Sequence, residues 1–249
     1  RLPKIDRKPD TDAWPLGELA SIPRYDPTSQ SPFQVDLRMA DMRNLDLKGA
    51  GADLLYATFG TATLWPAKER MPAGFDPTAV MEAGKNPGLG VRSLHARGIT
   101  GKGVRIAIVD QPLAVDHVEY AGRILLYEET NIANVTPAAM HGAAVASIAV
   151  GKTVGVAPEA ELFYVAAYGM DVAARRKPGM MNRDFTWKAK AIRRIVDINR
   201  NLPDGQKIRA ISLSIGWDPR ETGYAEMEEA VNAARDSGLL VTSSSIDHT

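Results

Sequence analysis

From about Gly88 onward the chain alternates short, nearly continuous apolar runs with stretches of helical periodicity. Few folds accommodate that alternation. The runs are 104–110 (VRIAIVD), 123–129 (RILLYEE), 160–167 (AELFYVAA), 208–216 (IRAISLSIG) and 239–245 (LLVTSSS). A strand that is apolar on both faces must be covered on both. The pattern therefore predicts an α/β fold, a parallel sheet flanked by helices on both faces. Between the runs, His141 to Val150 reads as a short, almost wholly apolar helix. Arg183 to Arg200 reads as an amphipathic helix with Ala189, Ile192, Ile195, Val196 and Ile198 inward, stopped by Leu202-Pro203. Glu221 to Asp236 repeats the pattern with Tyr224, Met227, Val231 and Ala234 on one face, and Gly238 is suited to close it in a left-handed turn.

The amino-terminal third reads differently. Ten of the 16 prolines fall before residue 88, too dense a punctuation for long helices, so residues 1–88 are expected to form an irregular Pro-rich N-terminal extension. That extension packs on or precedes the core, and 89–249 form the α/β domain. Within it the pentads VDLRM, ADMRN and LDLKG (35–49) place Leu37, Met42 and Leu47 five residues apart, each preceded by Asp. A solenoid needs stacked coils to bury such residues, and three units are few. The expectation is an edge strand plus turn packed on the main domain.

Several function classes are disfavoured. Lys plus Arg and Asp plus Glu both total 30, so no overall field attracts nucleic acid or an anionic membrane. The basic residues between Arg175 and Arg209 lie largely on the polar side of a helix, a solvated face. Cysteine is absent, which removes disulfides and thiolate chemistry but leaves the compartment open. No run approaches a membrane span, and the charged start (Arg1, Lys4, Asp6) is unlike a signal peptide, so the polypeptide is expected to be soluble. Gly151-Lys152-Thr153 ends like a phosphate loop, but Ala146 stands where the leading glycine belongs and a helix precedes it. Gly98, Gly101 and Gly103 precede a strand instead of following one, and so are turn glycines rather than a dinucleotide fingerprint.

In an open parallel sheet, ligands bind beyond the carboxyl ends of the strands, so the residues ending each run matter most. The first run ends at Asp110, the fourth at Ser214-Ile215-Gly216, and the last leads through Ser243, Ser244 and Ser245 to Asp247, while His141 opens a helix. A carboxylate at a buried strand end beside an imidazole suits a general base: the acid sets the tautomer and supports the imidazolium.

With these residues in view, the sequence resembles the subtilisin-like serine peptidases. The resemblance rests on GITGKGVRIAIVD (98–110), MHGAAVASIAVG (140–151), VGVAPEAELFYV (154–165), ISLSIG (211–216) and AVNAARDSGLLV (230–241), five segments in family order. It implies a subtilisin-like fold and endopeptidase activity on polypeptides in extended conformation. Asp110 would orient His141, and His141 would take the proton of a serine and return it to the leaving amine. Ser214, Ile215 and Gly216 would present backbone to the substrate, and the loop 168–182 would flank it. No cofactor is required for this chemistry. Structural calcium occurs in the family, but no residue here matches such a site well enough to name.

The chain also departs from the family. Gln111-Pro112 follows the aspartate where Thr or Ser and then Gly are usual, which stiffens the loop. His141-Gly142-Ala143-Ala144 lacks the family's second histidine. Asp247 falls where an asparagine usually serves the oxyanion hole. Either Asp247 is a variant donor region or the true donor lies past Thr249. The family's serine follows its histidine by roughly 150 residues, and no Gly-Thr-Ser-x-Ala stretch occurs in this sequence. The 249 residues alone are thus expected to be inactive, with the serine beyond this chain, on a carboxy-terminal portion or a separate fragment. The alternative is a catalytically inactive pseudopeptidase that binds a peptide or protein. A metal hydrolase built on Asp110, Asp116, His117 and His141 is a third reading, and His95 and His248 have no evident role.

Overall fold

The computed structural model describes residues 4–11, 17–86, 88–133, 135–167 and 183–244. The chain divides into two compact units, one made of Arg1–Ala13 with Leu94–Thr249 and the other of Trp14–Ser93. The division therefore falls at residues 13 and 93 instead of at 88, and the first thirteen residues group with the α/β unit.

In chain order the elements are β1 (Lys4–Ile5), β2 (Val35–Asp36), α1 (Gly51–Leu54), β3 (Ala57–Thr58), α2 (Pro77–Gly84) and α3 (Val91–Ala96). They continue with β4 (Arg105–Asp110), β5 (Ile124–Thr130), α4 (Met140–Val150), β6 (Glu161–Ala167), α5 (Thr186–Asn201), β7 (Ile208–Leu213), α6 (Tyr224–Asp236) and β8 (Leu240–Ser243).

The α/β unit is built on a six-stranded sheet in the order β1-β5-β6-β4-β7-β8, with every pair parallel. Each of the five apolar runs became one of its strands. The helices lie where the periodicity placed them, on both faces. Ala107, Val109, Phe163, Val165 and Ala167 point to one side, where they pack with Ala189, Ile192 and Ile195 of α5 and with Met227, Ala230 and Ala234 of α6. The alternate residues face α4, whose small Gly142, Ala143 and Ala146 allow a close approach. Gly238 takes φ +85° just after α6 and Leu239 N–H returns to the Ala234 carbonyl, so the helix closes as expected. The glycines before β4 also carry positive φ, at +76°, +80° and +76°.

The sixth strand was not expected. β1 runs parallel to β5, with Lys4 opposite Leu126 and Ile5 opposite Tyr127. Beyond it, Arg7 makes two bonds to Glu129 at 2.9 and 2.7 Å and one to the Thr136 carbonyl at 2.8 Å. Both β1 residues are exposed, so no hydrophobic pattern announced the strand.

The second unit corrects the expected edge strand and turn. β2 pairs in parallel with β3 rather than with the large sheet, and Glu18, Asp41 and Leu64 are stacked through parallel bridges. Leu37, Met42 and Leu47 donate in turn to the carbonyls of Thr58, Leu64 and Arg70. The three pentads are thus successive sides of one coil, and the next coil is supplied by residues 57–71, where the sequence repeat has faded. Leu37, Met42 and Leu47 all point inward, at 0%, 0% and 3% exposure. Asp36, Asp41 and Asp46 each accept the N–H of the residue two positions on, Arg38, Arg43 and Lys48. Phe59, Trp65 and Phe75 pack edge-on or tilted against one another beside this core, with centroids 5.1 to 6.5 Å apart.

Candidate active site

Asp110 is the last residue of β4, and the apolar strand before it carries its carboxylate to the sheet's carboxyl edge. The side chain is 5% exposed. Its Oδ1 accepts the Gln111 N–H at 2.7 Å and meets His141 Nδ1 at 2.7 Å. An ionised carboxylate can only accept, so Nδ1 carries the proton and the neutral ring keeps its lone pair on Nε2. His141 is the second residue of α4, and its side chain is 45% exposed. The pair thus has a dry acid and a half-open base, and two groups 31 residues apart are brought together.

The loop after Asp110 is pinned at successive points. Tyr164 Oη donates to the Gln111 carbonyl at 2.5 Å, and the Pro112 carbonyl accepts Ala139 N–H, at the start of α4, at 2.8 Å. Leu113 N–H reaches Tyr127 Oη at 3.3 Å, and that hydroxyl donates to Glu129 at 2.5 Å. Burial pushes both phenols well above their ordinary range, so both stay protonated donors. Gly142 lies against the same loop. A Cβ there would stand 2.5 Å from Tyr164 Oη and 2.8 Å from the Gln111 oxygen, which explains a glycine beside the histidine.

Ser214, Ile215 and Gly216 follow β7, the strand next to β4, and are half-buried. Ile108 pairs with Ser212, so extending that count by two brings Ser214 level with Asp110. The backbone of 214–216 thus leaves the sheet at the edge that holds the acid. Asp247 and His248, and the loop 168–182, lie outside the described residues. The metal-hydrolase set does not assemble: Asp116 pairs with Lys8 at 2.6 Å and His117 stacks on Tyr120. Among the described residues no group of three His, Asp or Glu could hold a metal ion. His95 bonds the Val156 carbonyl at 2.8 Å.

Two further residues belong to this region. Tyr164 lies in the apolar run of β6, where nothing in the sequence separates it from ordinary core. Lys188 is 6% exposed on α5 and gives its ammonium to the Ala167 carbonyl at 3.1 Å, one residue past Ala166, the register partner of Asp110. Burial holds its pKa below the usual value, while the charge of Asp110 acts in the other direction. The available signal was its phase, since residue 188 falls on the inward face that 189, 192, 195 and 196 define.

The fold is a parallel α/β sheet with an acid–imidazole pair at its carboxyl edge, and comparison with known proteins gives its family. The model of the subtilase family, Peptidase_S8, matches residues 101–245, more than half of the sequence, and the chain belongs to that family. Subtilisin-like protease PopC of Myxococcus xanthus (strain DK1622) is 32% identical over 109 residues, which cover 39% of this chain and 23% of PopC. The chain therefore spans under a quarter of that relative's length. Among solved structures, the prenylagaramide maturation protease PagA is 17% identical over 62% of this chain and 50% of its own, with a TM-score of 0.44. The nisin leader peptidase NisP from Lactococcus lactis is 21% identical over 66% of this chain and 48% of its own, with a TM-score of 0.43. No helix among the described residues is long and apolar enough to cross a membrane.

Proposed function

We propose that this chain carries the acid and base of a subtilisin-type serine endopeptidase. The observation that carries the reading is the 2.7 Å bond between His141 Nδ1 and buried Asp110. With Nδ1–H committed to the carboxylate, Nε2 is the base. It takes the hydroxyl proton of a serine as that oxygen attacks the peptide carbonyl, then returns the proton to the leaving amine. Asp110 supports the imidazolium formed between these steps and remains ionised. Ser214, Ile215 and Gly216 offer backbone N–H and C=O groups to an extended polypeptide, so recognition is of main chain more than of any one side chain. Asp247 stays the candidate for the oxyanion region. The serine is supplied from beyond these 249 residues, whose sequence holds no Gly-Thr-Ser-x-Ala stretch. The reaction needs no cofactor.

Labelling of the full-length protein with a fluorophosphonate tests this. Stoichiometric capture of one serine, abolished by His141→Ala, is the expected result. An uncaptured protein that still binds an extended peptide would be the inactive binding module instead, and the peptidase reading would fall.

A further inference from the structure

Tyr164 is fully buried on β6, opposite Ile108 and on the same sheet face as Asp110 two residues further along β4. Its hydroxyl donates at 2.5 Å to the carbonyl of Gln111, the first residue past the end of β4. Gln111 N–H in turn donates to Asp110 Oδ1 at 2.7 Å, the oxygen that also meets His141 Nδ1 at 2.7 Å. One residue thus separates the phenol from the carboxylate that orients the imidazole. Because Pro112 has no N–H, the Gln111 carbonyl is the remaining polar handle on that peptide. The hydroxyl also lies 2.5 Å from where a Cβ on Gly142 would be, so one atom touches both the end of β4 and the start of α4.

We infer that Tyr164 is a positioning residue, which holds Gln111 and Gly142 so that Asp110 and His141 keep their bond. This rests on the reading of that pair as acid and base. Gln111-Pro112 replaces a more flexible turn, and the phenol braces what the proline leaves untied. Burial keeps the hydroxyl protonated and able to donate.

The test is the exchange of the His141 Nδ1 proton with solvent, read by NMR on the 15N-labelled protein below the melting transition of each variant. Tyr164→Phe keeps the ring and removes the donor. Tyr120→Phe is the matched control: Tyr120 is 1% exposed, and its hydroxyl has no hydrogen-bond partner among the described residues. Loss of one well-formed hydrogen bond is worth about tenfold in an equilibrium, so Y164F should speed exchange by about that factor while Y120F leaves it unchanged. Unchanged exchange in Y164F, or equal acceleration in Y120F, overturns the inference alone. An Nδ1 proton that exchanges freely in the wild type, or is indifferent to Asp110→Asn, overturns the acid–base reading and the inference with it.

Discussion

Gly142→Ala is the substitution whose outcome the geometry specifies most closely. The new methyl would lie 2.5 Å from Tyr164 Oη, 2.8 Å from the Gln111 oxygen and 3.4 Å from the Pro112 oxygen. The Gln111 oxygen is main chain and cannot rotate away. Restoring it to an ordinary contact of about 3.4 Å asks α4 to retreat by roughly 0.6 Å, and Tyr164 asks for roughly 0.9 Å. A retreat of that size stretches the 2.7 Å His141–Asp110 bond past the roughly 3.2 Å limit of a good N–H···O bond. Overpacking of this kind costs about 1–3 kcal/mol, and alanine's better helix propensity returns about 1 kcal/mol. The net loss of about 1 kcal/mol corresponds to a fall of about 2–4 °C in Tm for a domain of this size. Misplacement by such a distance costs about a hundredfold in turnover. The assays are a thermal melt, the exchange of the His141 Nδ1 proton, and hydrolysis of a peptide substrate by the full-length protein. A variant that melts at or above the wild type and keeps its protected proton would refute the claim that Gly142 is required by space.

If the proposed reading holds, Asp110→Asn should lower kcat of the full-length protein on a peptide substrate by about ten-thousandfold with little change in KM, because the neutral amide neither fixes the tautomer nor supports the imidazolium; steady-state kinetics check this. Lys188→Met should change the pH dependence of stability. The folded chain holds the Lys188 pKa below the free value of 10.5, so the unfolded chain binds more protons between the two values, and stability rises with pH across that window. Below it the full cost of the buried charge is present. Tm measured from neutral pH to 10.5 should therefore climb less steeply in K188M than in the wild type, and equal slopes would count against a buried ammonium. Met42→Ala removes a side chain with 0% exposure from the coil core. It should cost about 2–5 kcal/mol, seen as lost hydrogen-exchange protection at the Leu37 and Leu47 amides.

Much of the α/β unit was readable in one dimension. A strand covered on both faces must be apolar throughout whatever its neighbours, so the runs of β4, β5 and β6 announced strands without reference to pairing, while β7 and β8, which carry exposed residues, were marked by their alternation with α5 and α6. The inward stripes of α5 and α6 followed from the helical period alone. Lys188 is less legible, because a lysine reads as polar surface although its helical phase puts it inside. The coil of residues 17–75 escaped for another reason. Its repeat is visible only in 35–49, while the coil it stacks on carries a different sequence that meets it through backbone bonds. β1 escaped likewise, since two exposed residues add a strand through main-chain groups that every sequence possesses.

The candidate site divides along the same line. Asp110 and His141 stood out because each closes or opens an element whose identity is local, and the family resemblance joined them. Their bond, the alignment of 214–216 beside them, and the Tyr164 hydroxyl that braces the loop all join residues far apart in the chain. What the sequence by itself determined is which face each residue presents, because that depends on a period of two or 3.6 residues. Which distant residues meet was decided only by the tertiary structure, because strand order and register depend on how the whole sheet buries both of its faces.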